Sequence, residues 1–231
     1  MENINNIEAI VLDIEGTTTP IDFVYKVLFP YSSKRLVEFI NDPNNKDNIA
    51  FDLQTLKTEF DADKECSIAD YDPVTYLQYL IKIDRKSPAL KSIQGKIWEE
   101  GFRSGEIKGE LFSDVPRALE RWRSAGYKTY IYSSGSVLAQ KLLFQFSVAG
   151  NLTCFLYGHF DTSIGAKVDF DSYAKIASKI RVNPANILFI SDAPKELDAA
   201  TIAGLQTRFS NRPGNTFANT VYQEITNFDF L

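Results

Sequence analysis

Long hydrophobic runs are missing from this 231-residue chain, and no stretch approaches the roughly 20 apolar residues that a membrane-spanning helix needs. Met1 to Asn6 has neither the basic flank nor the apolar centre of a signal peptide. Cysteine is scarce. Cys66 and Cys154 are the only two, too few and too far apart for a disulfide framework or a zinc site. They point to a reducing compartment and to thiols used as small buried hydrophobes. His159 is the single histidine, so neither a Ser-His-Asp triad nor a His-rich metal site can be built. Cationic excess is absent too. With 25 Lys and Arg against 30 Asp and Glu, the net charge is -5. That excludes a general nucleic-acid binder and requires a local basic residue for any anionic substrate.

What is present is an ordinary folding composition, 44% hydrophobic and 24% charged, in a chain long enough for a core domain with a smaller inserted one. Residues 7–12 read as a strand. Runs at 128–132, 154–157 and 187–190 resemble it, and 205–209 is a weaker fifth. Each is β-branched or aromatic and stops at small or charged residues, as buried parallel strands do. Helical patterns lie between them at 116–124, 137–146, 173–180 and 195–203. Ser113 and Asp114 offer a cap ahead of Pro116, and Gly126 a stop. The alternation predicts an α/β fold with a doubly wound parallel sheet.

More than a hundred residues separate the first strand from the second, far beyond one crossover helix. The intervening sequence is helical: 23–40 interrupted by Pro30, 74–83, and 88–105, which opens on Ser87-Pro88. Asn41 to Asn48 reads as an exposed loop. The expected organisation is a core formed by 1–19 and 111–231, with an α-helical cap domain at 20–110. No internal repeat is found.

The chemistry-bearing residues fall just past the C-terminal ends of the strands. Asp13-Ile14-Glu15-Gly16-Thr17-Thr18 follows the first, Ser133-Ser134-Gly135-Ser136 the second, Lys167 lies beyond the third, and Asp192 follows the fourth with Glu196 four residues on. Open α/β sheets bind ligands at this edge. Singly, each group has a plain structural use: a solvated strand end, a Ser-Gly loop, a surface lysine, an acid favoured at a helix start. Together they supply what Mg²⁺-dependent phosphoryl transfer needs. Asp13 and Asp192 would be metal carboxylates, and Ser133 and Ser134 a phosphate cradle ahead of a helix. Lys167 would balance charge, Gly16 would turn the backbone, and Thr17 would bond the nucleophile or phosphate. Asp13 is placed to attack phosphorus and form an acyl phosphate.

This order resembles the haloacid dehalogenase-like hydrolase superfamily, with its Asp-x-Asp-Gly-Thr loop, Ser/Thr, Lys and final acidic loop. Glu15 departs from that pattern, which has Asp there. Leu12-Asp13-Ile14-Glu15-Gly16-Thr17-Thr18-Thr19-Pro20-Ile21, Leu28-Phe29-Pro30-Tyr31, Tyr130-Ile131-Tyr132-Ser133-Ser134-Gly135-Ser136, Gln140-Lys141-Leu142-Leu143-Phe144 and Gly158-His159-Phe160-Asp161-Thr162 are similar to one family within it. That family is the acireductone synthases, the enolase-phosphatases of methionine salvage, and the similarity runs from residue 7 to about 214.

The resemblance implies a bifunctional enzyme with one Mg²⁺ per subunit. It would enolise 2,3-diketo-5-methylthiopentyl-1-phosphate and then dephosphorylate it to 1,2-dihydroxy-3-keto-5-methylthiopentene. Asp13, Glu15 and Asp192 would serve the metal, Glu15 through its backbone carbonyl, while Ser133, Ser134 and Lys167 would contact substrate. Asp13, Glu15 and Lys167 would be catalytic. It also implies a monomer of cytoplasm and nucleus, with no nucleic-acid or membrane partner. Glu15, one methylene longer than Asp, would reach an atom that a phosphatase acid does not. The enolisation base is not assigned, and Glu196 and Asp198 are read only as support around Asp192.

Three other readings compete with this one. A general sugar-phosphate-type phosphatase of the same superfamily stays open. A receiver-like phospho-acceptor module is disfavoured, because such modules are shorter, carry the acceptor on a later strand and lack the helical insertion. A dehalogenase would need no metal pair, so Asp192 weighs against it.

Overall fold

A computed structural model describes residues 6–83, 85, 87–215 and 220–229. In chain order its elements are β1 (Ala9–Leu12), α1 (Ile21–Phe23), a π-helical turn (Val24–Leu28), α2 (Phe29–Asn41), α3 (Lys46–Ala62), α4 (Pro73–Lys82) and α5 (Pro88–Ser104). Then come α6 (Val115–Ser124), β2 (Lys128–Tyr132), α7 (Val137–Gln145), β3 (Leu156–Phe160), α8 (Phe170–Ile180), β4 (Ile187–Ser191), α9 (Pro194–Ile202), β5 (Gln206–Ser210) and β6 (Glu224–Ile225). No helix among the described residues is long and apolar enough to cross a membrane.

The chain divides into two compact units, one formed by Met1–Val24 with Lys108–Leu231 and the other by Tyr25–Ile107. Local bonds explain where the second division falls. The Ile107 amide bonds the Gly101 carbonyl, whereas the Gly109 amide donates to Phe146 O at 2.8 Å. A Cβ on Gly109 would lie 2.2 Å from Leu143 O, so only glycine permits that approach.

The first unit is a sheet in which every strand pair is parallel, ordered β3-β2-β1-β4-β5-β6. β1 and β4 are buried at every residue, which is why their sequences are unbroken apolar runs rather than alternating ones. Side chains still divide by face with a period of two. Ala9, Val11, Tyr130, Tyr132, Ile187 and Phe189 share one cluster with Tyr173 and Ile176 of α8 and Leu197 of α9. Because β2 and β3 lie on one side of β1 and β4 to β6 on the other, the sheet reverses between β1 and β4. That is the point where such folds open a crevice.

The second unit packs Leu36 and Phe39 of α2, Ile49 and Leu56 of α3, Tyr76, Leu77 and Leu80 of α4 and Leu90, Ile93 and Ile97 of α5 into one core. Ser87 caps α5, its Oγ accepting from Leu90 N at 3.0 Å, and Pro30 sits in the first turn of α2, where its missing N–H costs nothing.

Several expectations are corrected. Residues 41–48 are not an open loop: Pro43–Asn45 is a 3₁₀ turn and α3 begins at Lys46. α3 itself carries no clear apolar stripe, because its buried positions are Ile49, Asp52 and Leu56. Asp52 is tolerated there by Lys96, at 2.5 Å. β3 starts at Leu156, since Thr153–Phe155 is a turn whose Thr153 amide is held by Asn151. β6 has no counterpart in the sequence reading. Asp114 does not cap α6 with its side chain; its carboxylate takes Arg212 Nη1 and the Phe228 amide instead. Nor are the thiols buried: Cys154 is exposed and Cys66 half-buried.

Candidate active site

β1 is followed by the buried Asp13, whose amide donates to Ile190 O of β4 at 3.0 Å. The next residues form a tight loop. Thr17, Thr18 and Thr19 amides all return to Ile14 O, and Thr18 Oγ1 also reaches the Asp13 and Ile14 carbonyls at 3.3 Å. Gly16 takes φ +68°, a left-handed conformation that glycine adopts without a Cβ penalty. A Cβ there would lie 2.2 Å from Asp192 Oδ2, so the carboxylate after β4 lies directly against the loop after β1.

Lys167 joins them. Its Nζ is 2.5 Å from Asp13 Oδ1 and 2.7 Å from Glu196 Oε2. The segment carrying it lies beyond β3 and is held by hydroxyls at three successive carbonyls. Tyr132 OH donates to Gly165 O, Ser172 Oγ to Ala166 O and Tyr173 OH to Lys167 O, at 3.0, 2.8 and 2.7 Å. Ser191, the last residue of β4, donates to Glu196 Oε2 at 2.8 Å. A hydroxyl has one proton, so its 3.4 Å approach to Asp13 Oδ2 is the weaker contact. Asp13 Oδ2 is therefore the less engaged oxygen of the pair.

The charge balance is acidic. Burial, then Asp13 and Glu196, push the Asp192 carboxyl up to about 7, against the pull of Lys167. Burial and Asp13 likewise hold Glu196 well above the usual carboxylate range. Burial alone would lower Lys167, but Asp13 and Glu196 outweigh it and keep the ammonium above the ordinary lysine value. One lysine thus faces more carboxylate than it can neutralise.

Ser133 and Ser134 leave the same edge on the neighbouring strand, because Leu12 pairs with Ile131. Ser133 is buried, and its Oγ accepts from Gly135 N at 3.1 Å. The cap of α7 is Ser136, whose Oγ accepts from Ala139 N, and the first helical amide, Val137 N, reaches Asp161 Oδ2 at 3.3 Å. Gln140 Nε2 fastens the loop by donating to Gly135 O and Phe160 O, at 2.9 and 2.8 Å. Since both its amide protons are used there, Gln140 Oε1 accepts from His159 Nδ1, 3.2 Å away. Glu15 is half-buried and forms an isolated bridge with Thr19. Thr17 Oγ1 is buried with no protein partner among the described residues, and so makes none of the bonds to Asp13 that its position suggested.

Among the described residues no three His, Cys, Asp or Glu side chains form a ready metal cluster. A hard divalent cation does not require one, since it takes few carboxylates, a carbonyl and several waters. The Asp13 and Asp192 carboxylates, more negative charge than Lys167 balances, the adjacent loop carbonyls and Thr17 Oγ1, which has no protein partner among the described residues, fit such an ion.

Residues 7–204 match the family model described as haloacid dehalogenase-like hydrolase. A protein of Synechococcus elongatus named Enolase-phosphatase E1 is 50% identical, with 91% of each chain covered. One of the same name from Drosophila willistoni is 42% identical over 98% of this chain and 97% of its own. The chain belongs to the enolase-phosphatase E1 family. The yeast UTR4 protein shares the enolase-phosphatase chain's fold at a TM-score of 0.81 and 34% identity, covering 98% and 100% of the two chains. CbbY of Rhodobacter sphaeroides, solved with xylulose-1,5-bisphosphate, has a TM-score of 0.61 at 18% identity, a likeness of fold alone.

Sequence reasoning placed Asp13, Lys167 and Asp192 at one edge, and the fold draws them into a single cluster. It missed Tyr132, Ser172, Tyr173 and Ser191, and it read Glu196 only as support around Asp192, whereas Glu196 bonds Lys167 and Ser191. Only Glu196 carried a local signal, four residues after Asp192. Asp198 does not turn to Asp192: Tyr222 OH donates to it at 2.5 Å.

Proposed function

We propose that this protein is a Mg²⁺-dependent enolase-phosphatase that enolises 2,3-diketo-5-methylthiopentyl-1-phosphate and then releases its phosphate, yielding 1,2-dihydroxy-3-keto-5-methylthiopentene. The observation carrying the reading is Asp13, gripped by Lys167 and set beside Asp192, in a chain of the enolase-phosphatase E1 family.

In this reading Lys167 orients Asp13 through Oδ1 and leaves Oδ2 to attack phosphorus. The new O–P bond forms as the ester P–O bond breaks, and water then attacks the acyl phosphate at phosphorus to restore the carboxylate. Prior enolisation makes the departing oxygen an enolate, a better leaving group than an alkoxide. That supplies a chemical reason for the order of the two steps. Ser133 and Ser134, on the adjacent loop, bind the phosphate, and Glu15 acts in the enolising step. Asp13, Asp192 and the Glu15 carbonyl would hold Mg²⁺, which when bound neutralises phosphate charge and acidifies the carbon next to the ketone. The enzyme works as a monomer in the cytoplasm and nucleus.

The test is an assay of the diketone phosphate with and without Mg²⁺, following enol absorbance and phosphate release separately, beside a panel of sugar phosphates. Both steps should require Mg²⁺, and the diketone should exceed every sugar phosphate. Comparable rates on the panel with no enol signal would make it a general phosphatase.

A further inference from the structure

Residues 210–215, from the last residue of β5 onward, hold the loop that bears the nucleophile. Ser210 Oγ donates to Gly16 O at 3.1 Å and Arg212 Nε to Thr17 O at 3.1 Å. Asn215 Nδ2 donates to Gly16 O at 2.9 Å and to Ser210 O at 3.1 Å. Both amide protons of Asn215 face carbonyls, which settles which way the amide points. Its Oδ1 must then face away from them, and it is buried with no protein donor among the described residues.

That oxygen does not face an apolar wall. A Cβ placed on Gly16 would lie 2.9 Å from Asn215 Oδ1 and 2.2 Å from Asp192 Oδ2, so both oxygens press against the Gly16 α-carbon and stand close to one another, an approach that only glycine allows. Two neighbouring acceptors call for a shared donor, because leaving a buried amide oxygen unbonded costs free energy. Lys167 is engaged with Asp13 and Glu196.

We propose that Asn215 is a positioning residue of the site, fixing the Gly16 carbonyl with its amide protons and offering Oδ1, beside Asp192, to a water of the divalent cation. The inference rests on the cation-dependent reading above and extends it to a residue from the far end of the chain. Asparagine suits the position because it donates to two carbonyls without adding another negative charge next to Asp192.

Calorimetric titration of wild type, N215A and N215Q with MgCl₂, without substrate, tests it, with thermal unfolding of each protein measured alongside. Outer-shell acceptors are worth about 10–100-fold in metal affinity, so N215A should bind Mg²⁺ about tenfold more weakly. N215Q keeps both amide donors and an uncharged oxygen acceptor and should stay within about threefold of wild type. If N215A is recovered unfolded, N215S, with its shorter side chain, takes its place under the same expectation. Unchanged affinity in N215A, or equal weakening in both variants, overturns the proposal while leaving the enolase-phosphatase reading intact. A wild type that binds no Mg²⁺ overturns both.

Discussion

Lys167 Nζ stands 2.5 Å from Asp13 Oδ1, across 154 positions of sequence, and at 2.7 Å it also meets Glu196. Asp13 is therefore a carboxylate whose two oxygens differ. One is neutralised by the ammonium, and among the described residues the other has only a long contact with Ser191.

Asp13→Asn removes the charge of the oxygen proposed to attack phosphorus but keeps the shape. Phosphate release should drop by at least about 10³-fold, and no acid-labile phosphoprotein should be trapped after a quench with labelled substrate. Near-normal release would refute the nucleophile assignment.

Lys167→Met leaves Asp13 and Glu196 buried without their cation. Breaking a buried pair from one side costs about 3–5 kcal/mol, so the unfolding midpoint in urea should fall together with phosphate release. Lys167→Arg should recover stability better than activity, because a planar guanidinium does not place one nitrogen on both carboxylates. Equal recovery of both would contradict an orienting role.

Glu15→Asp restores the general superfamily acid at that position. Enolisation should slow more than phosphate release when the two signals are followed separately. If both rates fall by the same factor, the side-chain length of Glu15 has no special part in the first step.

Gly16→Ala forces a side chain into φ +68° and against Asp192 Oδ2 and Asn215 Oδ1. The backbone penalty is about 1–2 kcal/mol, a modest loss by thermal melting. Activity should fall by about 100-fold or more, since the displaced groups belong to the site. A variant that melts early yet keeps its activity would show that the close approach is structural only.

His159 gives a pH signature separate from the carboxylates. Burial, reinforced by the charge of Lys141, lowers its pKa to about 4 from an ordinary 6.5. Between those values the native state binds fewer protons than the unfolded chain, so stability rises with pH through this window and is lost as pH falls from about 6.5 toward 4. After allowance for partial solvent screening the effect is roughly 1–2 kcal/mol. Urea unfolding across that range should show this component in wild type and lack it in His159→Gln.

Asp13, Lys167 and Asp192 were legible in the sequence because strands buried on both faces are uninterrupted apolar runs, and the residues that end such runs must lie at the sheet edge. Ser87 at the start of α5 and Gly126 after α6 were legible for a local reason, since caps and stops act within one turn. α3 was hidden by Asp52, a charge inside its buried stripe that only Lys96, 44 positions away, makes tolerable. β3 was misplaced because, with its neighbour on one side only, it is partly exposed and mixes Gly158 and His159 into its run.

By itself, then, the sequence determined the parallel α/β core, the presence of a helical insertion and the acids and lysine at the strand ends, all of which follow from hydrophobic periodicity and short-range chemistry. Only the tertiary structure decided that Tyr132, Ser172 and Tyr173 hold the Lys167 segment, that Lys167 and Ser191 face different oxygens of Asp13, and that Asn215 reaches Gly16 from 199 positions away. Those bonds join residues whose neighbours along the chain say nothing of one another. Their partners are fixed by how strands lie side by side in the sheet, which no local pattern encodes.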